Sequence, residues 1–238
     1  MKTILCKEGY LINKSSIDDS TLKKIKKSLT VKPIVKTNYS KNQEVKEFKV
    51  YQENDEYINI PKFYGLKKYG NPDENKELKG KKIKIKFKGD LRDYQKEIIK
   101  RVDSVIKEKD GGLLSVGCGK GKTVIALYLA CKYKVKTLVI VHKTFLLNQW
   151  KERIEQFTNA KVGIIQQNKI DVDDKDIVIG MLQSIAKDKY DYDIFRDFGF
   201  TIFDEAHHAP SEFFSKALPI ISSKKSLALS ATPKRNDK

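Results

Sequence analysis

The run Ser115-Val116-Gly117-Cys118-Gly119-Lys120-Gly121-Lys122-Thr123 alternates glycine with other residues and ends on a lysine and a hydroxyl. Before it, Leu113-Leu114-Ser115-Val116 reads as a short buried strand; after it, residues 124–130 are too long and too rich in Leu and Ala for a loop and read as a helix. Strand, glycine turn and helix in that order aim successive backbone N–H groups and a helix N-terminus at an anion, and glycine lets the backbone come close. Gly117, Cys118, Gly119, Lys120, Gly121, Lys122 and Thr123 are therefore the expected phosphate cradle, with Lys122 as the point charge on β- and γ-phosphates and Thr123 as a hydroxyl ligand of Mg²⁺. Val116 stands where the strict phosphate-loop spacing has its first glycine. The bland alternative is a tight strand-to-helix turn that happens to be rich in Gly and Lys.

Downstream, Phe200-Thr201-Ile202-Phe203 is a β-branched and aromatic run that ends at Asp204-Glu205. Carboxylates at the carboxyl end of a strand in an open α/β sheet face the crevice where ligands bind. Phosphoryl transfer needs a metal holder and a group that orients the nucleophile, and Asp204 and Glu205 suit those two roles. A solvated acidic turn capping the next helix would have the same composition. His207 and His208 follow, but adjacent side chains diverge, and without cysteine pairs the spacing is wrong for structural zinc. Ser230-Ala231-Thr232 is the third short signature.

In this order the motifs resemble superfamily 2 helicases: Gly117 to Thr123 is similar to motif I, Asp204-Glu205-Ala206-His207 to the DExH signature, and Ser230-Ala231-Thr232 to motif III. Leu91-Arg92-Asp93-Tyr94-Gln95 resembles the Q-motif region, Val141-His142-Lys143-Thr144 with Gln149-Trp150 motif Ia, and Gly180-Met181-Leu182-Gln183-Ser184 motif Ib. Leu-Ser-Ala-Thr-Pro-Lys-Arg at 229–235 is closest to the XPB-like branch and its relatives encoded by large DNA viruses.

The resemblance implies a RecA-like P-loop NTPase lobe that uses ATP and Mg²⁺ to move on nucleic acid, DNA more than RNA. By that resemblance Gln95 reads the adenine, Lys122, Asp204 and Glu205 are catalytic, and Thr123 and Asp204 hold the metal. Lys143, Thr144, Gln183 and Ser184 then lie on the nucleic-acid face, and His207, Ser230, Ala231 and Thr232 couple hydrolysis to strand movement. Lys143-Thr144 could equally do no more than cap the next helix. Motifs IV to VI and the arginine finger belong to a second lobe, expected in cis or in trans. Without it turnover should be very slow, since such fingers contribute about 10³–10⁵ in rate. A non-catalytic nucleic-acid-binding or regulatory lobe is the main alternative. A small-molecule kinase would keep the loop but leave Asp-Glu-Ala-His and Ser-Ala-Thr without a purpose.

The elements that must position these residues divide the chain in two. From Leu91 onward apolar strands alternate with helices, which predicts a parallel sheet covered on both faces. Strands are expected at 138–141, 162–165, 177–179, 200–203 and 227–229, and Leu147, Trp150, Ile154 and Phe157 recur on one helical face, so Trp150 reads as core. Residues 1–86 form a small α+β accessory domain and 87–238 the nucleotide-binding lobe. In the first part, residues 20–29 show helical spacing; 31–35, 48–51 and 57–61 read as extended; Phe63-Tyr64-Gly65-Leu66 and Tyr69-Gly70-Asn71-Pro72 read as loop. Residues 81–88 alternate lysine with Ile83, Ile85 and Phe87, a strand with one wet face. The aromatics Tyr51, Tyr57, Phe63, Tyr64 and Tyr69 sit among lysines and could stack on bases, although core packing is the commoner use.

The 238 residues carry 48 Lys and Arg against 31 Asp and Glu, a formal charge of +17. Such excess suits a polyanionic partner, but the preference for lysine over arginine is also what a lysine-rich proteome would leave. Cys6, Cys118 and Cys131 are odd in number and irregularly spaced, which argues against a disulfide framework and fits a reducing intracellular compartment. No signal peptide or membrane-spanning run is present, so a soluble protein with no membrane partner is expected.

Overall fold

The computed structural model describes residues 1–32, 47–117, 119–187, 190–206 and 212–231. The first unit holds β1 (Thr3–Leu5), β2 (Tyr10–Asn13), α1 (Asp19–Ser28), β3 (Thr30–Val31), β4 (Phe48–Lys49), β5 (Gln52–Glu53), β6 (Tyr57–Ile60), α2 (Lys62–Tyr69) and β7 (Glu74–Asn75). The second holds α3 (Asp93–Lys109), β8 (Gly111–Ser115), α4 (Lys122–Tyr133), β9 (Thr137–Val141), α5 (Thr144–Phe157), β10 (Val162–Gln166), β11 (Lys169–Asp171), β12 (Ile177–Met181), α6 (Leu182–Ile185), β13 (Phe200–Phe203), α7 (Glu212–Ile221) and β14 (Lys225–Ser230).

Seven strands of the second unit pair in the order β11-β10-β12-β9-β13-β14-β8, all parallel except β11, which runs antiparallel on the β10 edge. Every residue of β9, β12 and β13 is buried. Continuous apolar runs of this kind are what a parallel sheet covered on both faces requires. Side chains alternate between the two faces along a strand. Val139 and Val141 thus join Ile99, Leu127, Leu147 and Trp150 in the layer under α3, α4 and α5. Leu138 and Ile140 join Ile185, Phe195 and Ile220 in the layer under α6 and α7. The α/β architecture expected from the sequence, with a parallel sheet between helical layers, is the one observed.

The first unit has its own mixed sheet, β5-β6-β2-β1-β7, and its own core of Leu5, Tyr10, Ile12, Ile25, Leu29, Ile58 and Ile60. Two local expectations fail here for tertiary reasons. Phe63-Tyr64-Gly65-Leu66 is not loop but the body of α2. Gly65 reads as a breaker, yet a Cβ there would run into the Tyr10 ring, so glycine serves helix-to-sheet contact and not a turn. Residues 81–88 form no ladder strand: the segment makes only isolated bridges, Lys82 to Val135 and Phe87 to Thr158, beneath the amino ends of the large sheet. Its alternation was correctly legible, since Ile83 and Ile85 turn inward while the lysines face out. They turn into the core of the large sheet, so the expected boundary at residue 86 falls inside a segment that packs on the second unit. The extended reading at 33–35 lies outside the described residues.

Polar anchors join the two units. Lys7 Nζ donates to the Ser222 carbonyl at 2.7 Å, and Lys62 Nζ donates to the Lys224 carbonyl at 2.9 Å while pairing with Glu77. Burial, with Arg196 opposing and Glu8 assisting the charged form, brings Lys7 down to about 8. The Lys62 and Glu77 side chains are only 9% and 5% exposed, so either one alone would leave an uncompensated charge in the interface.

Two outcomes follow for stability. Gly65→Ala should destabilise the protein by about 1–3 kcal/mol in urea unfolding because the methyl overpacks against Tyr10, although helix propensity alone favours alanine by about 1 kcal/mol. Lys62→Ala should cost roughly 3 kcal/mol, and adding Glu77→Leu should recover most of that loss; an additive double variant would contradict the pairing.

Candidate nucleotide site and nucleic-acid face

Strand register brings the three motifs together. Ser115 pairs with Ser230, and Phe203 pairs with Ala228, so β14 lies between the strand that enters the glycine loop and the strand that ends in the acids. Val116, Ala231 and Asp204 therefore leave neighbouring carboxyl ends of one sheet, the side on which α/β proteins bind ligands.

The loop has the conformation its glycines predict. Gly119 and Gly121 take φ of 75° and 77°, a left-handed region that disfavours residues with a Cβ. Gly121 is the N-cap of α4 and no side chain caps it, which leaves the first-turn N–H groups to an external acceptor. Among the described residues, a Cβ built at Gly117 or Gly119 would meet nothing within 4 Å. Lys122 begins the helix and curls back to donate to the Val116 carbonyl at 3.2 Å, across the mouth of the loop; Thr123 follows, half-buried in the first turn. Cys118 lies outside the described residues, as do His207 and Thr232.

Gln95 is brought to this loop by α3. It is buried, its Oε1 accepts the Arg92 N–H at 3.0 Å, and its amide nitrogen abuts Gly121 closely enough to exclude a Cβ there. Beside it, exposed Tyr94 carries the Lys120 ammonium over its ring at 5.8 Å.

Asp204 is held on both oxygens. Oδ1 accepts the Glu205 N–H at 3.0 Å, and Oδ2 accepts the indole N–H of Trp150 at 2.8 Å. Burial raises its carboxyl above the usual value; the Trp150 N–H opposes that, the Glu205 charge adds to it, and the Lys122 cation pulls it back. Glu205 sits at φ 50°, an uncommon conformation for a residue with a side chain, at the position expected to handle the nucleophile. Ser230 is buried at the end of β14, and Ala231 follows half-buried.

The expected nucleic-acid residues gather one and two strands further along. Lys143 is the N-cap of α5 and Thr144 its first residue, but the Lys143 side chain makes no cap bond. Its ammonium instead lies 5.9 Å from the centre of the Phe145 ring, which is 62% exposed. Gln183 Nε2 donates to the His142 carbonyl at 2.8 Å, tying the end of β12 to the end of β9. The Ser184 hydroxyl accepts the Gln167 N–H at 3.0 Å and so fixes a neighbouring turn. Lys143, Thr144 and Gln183 thus share one edge of the crevice.

Phe145 and the Trp150–Asp204 bond were missed in the sequence. Periodicity places Trp150 in the core, where it is 1% exposed, but nothing local indicates a partner 54 residues downstream. An apolar cleft lined by Tyr51, Phe63, Leu218 and Pro219, among others, lies between the two units.

Over residues 88–235 the chain matches the family described as type III restriction enzyme, res subunit. It is similar to a putative ATP-dependent RNA helicase of Acanthamoeba polyphaga mimivirus, 43% identical over 241 residues that span 100% of this chain and 46% of the relative. The DNA 3'-5' translocase XPB2 of Sulfurisphaera tokodaii is 36% identical over 159 residues, 64% of this chain and 33% of that protein. Among solved structures, the Sulfolobus solfataricus SWI2/SNF2 ATPase core in complex with dsDNA shares the fold, with a TM-score of 0.53 and 23% identity over 66% of this chain and 34% of that one. The chain thus spans less than half the length of these relatives. With its glycine loop, acidic pair and serine signature on adjacent strand ends, the chain belongs to the type III restriction enzyme res-subunit family and has the amino-terminal motor lobe of superfamily 2 helicases.

Proposed function

We propose that this lobe binds ATP with Mg²⁺ and hydrolyses it to drive movement along nucleic acid. The observation that carries the reading is the convergence of Lys122, Asp204 and Ser230 at neighbouring carboxyl ends of β8, β13 and β14. The uncapped start of α4 and the space that the described residues leave at Gly117 and Gly119 fit a triphosphate, and a half-buried carboxylate beside a lysine fits a hydrated divalent cation.

Each residue has a distinct task. The loop N–H groups and Lys122 hold the β- and γ-phosphates, so the lysine leaves the Val116 carbonyl when nucleotide enters. Mg²⁺ supplies charge neutralisation on the phosphate oxygens. The Thr123 hydroxyl would be a ligand of the ion and Asp204 would hold it through its water shell, while Glu205 orients the attacking water and takes its proton. Gln95, on the first turn of α3 and against Gly121, links adenine recognition to the loop. Lys143, Thr144, Gln183 and Ser184 contact the backbone of the nucleic acid, which positions a strand without reading its sequence; Ser230 to Thr232, with His207, transmit the state of the nucleotide to that face. Residues 1–86 serve as an accessory domain docked on the lobe of 87–238.

DNA is the favoured track. Full turnover requires a second RecA-like lobe to supply an arginine finger, which typically contributes about 10³–10⁵ in rate. Strong stimulation of ATP hydrolysis by single- or double-stranded DNA over RNA of equal length, measured at low salt, would support both the activity and the track. Hydrolysis that ignores nucleic acid would contradict the motor reading.

The site makes its own prediction. Lys122→Ala should weaken ATP binding by at least about tenfold, as expected for a lost charge-assisted contact. Glu205→Gln should retain binding and lower turnover by about 10²–10⁴. Isothermal titration and phosphate-release kinetics separate the two effects; equal ATP affinity in Lys122→Ala and the parent would refute the assignment.

A further inference from the structure

We infer that Trp150 is a positioning residue for the site: its indole N–H fixes the Asp204 carboxylate in the orientation that receives the metal. The inference rests on the reading of Asp204 as the metal-holding carboxylate.

Trp150 is the sole tryptophan of the chain. It lies in the middle of α5, 1% exposed, in one cluster with Leu146, Leu147, Ile154 and Val141. Protein cores are packed at crystal density, so a ring of this size cannot turn without opening the layer. Its N–H is therefore a fixed donor, 2.8 Å from Asp204 Oδ2. The second oxygen is fixed by the Glu205 N–H at 3.0 Å. Bonds on both oxygens stop rotation of the carboxylate about its own axis. Each carboxylate oxygen has two acceptor sites, so among the described residues each keeps one for a metal-bound water. Indole is donor-only, and it cannot compete for the cation as a second carboxylate or a histidine would. A tryptophan needed only for volume could have satisfied its N–H on a carbonyl of the surrounding layer. This one reaches across the layer to a carboxylate in the crevice.

The test uses the intact chain and two readouts. In the first, fluorescence anisotropy of a labelled ATP is followed during a Mg²⁺ titration, for the parent and for Trp150→Phe. The variant should need about tenfold more Mg²⁺ or beyond, the usual cost of removing a hydrogen-bond partner of a metal-holding group. Its affinity for nucleotide without Mg²⁺ should stay within about twofold, because the phosphate loop is untouched, a split that a general loss of structure would not produce. An unchanged Mg²⁺ midpoint in a variant with a cooperative thermal melt would overturn the inference. In the second readout, the parent chain reports on itself. Mg²⁺ with ATP should shift the emission of its sole tryptophan, and Asp204→Ala should remove the shift. This decides the matter if Trp150→Phe fails to fold: nucleotide binding with no Mg²⁺-dependent change in emission would overturn the inference and leave the ATP site standing. Failure of ATP to bind with or without Mg²⁺ would overturn both.

Discussion

The parallel pairing of β14 between β8 and β13 is the constraint on which the rest of the site depends. Parallel strands run the same way and end on the same side, so three segments far apart in the chain must deliver their next residues to one crevice. The glycine loop, Ser230-Ala231 and Asp204-Glu205 are those next residues. A one-residue slip in either ladder would turn every side chain of the slipped strand to the opposite helical layer. The two buried layers therefore guard the register, and through it the distance between the loop and the acids.

The same packing explains why the first unit sits where it does. Segment 81–88 and the lysine anchors engage backbone near Lys134, Phe157, Gly199, Ser222 and Lys224, all at or near the amino ends of the large sheet. Gly80 and Gly199 meet backbone to backbone, an approach that a side chain on either would block. The first unit thus braces the foot of the strands that bear the site.

Helix α5 spans two of the regions where site residues are expected. It starts at Lys143 and Thr144 on the expected nucleic-acid edge, and two turns later Trp150 bonds Asp204. Its apolar face is what anchors it, and a single donor on that face serves the carboxylate. Half-burial makes the charged form of Asp204 costly, and the N–H donors of Trp150 and Glu205 offset that cost.

The sequence by itself determined the apolar strands that pair in parallel and their alternation with helices from residue 91 onward, the place of the glycine loop and of the acids at strand ends, and the burial of Trp150; the antiparallel edge strand β11 carries no such apolar run. These are legible because each follows from a local rule: period, glycine backbone freedom, or a carboxylate after an apolar run. Only the tertiary structure decided that residues 63–66 are helical, since Gly65 answers to the Tyr10 ring, 55 positions away in sequence. It also decided that Ile83 and Ile85 enter the large core and not the small one, because alternation says which side chains turn inward but not against what. The clearest case is the bond from Trp150 to Asp204. A donor and an acceptor on different elements carry no shared local signal, and they meet only when a helix docks across β9 onto the end of β13.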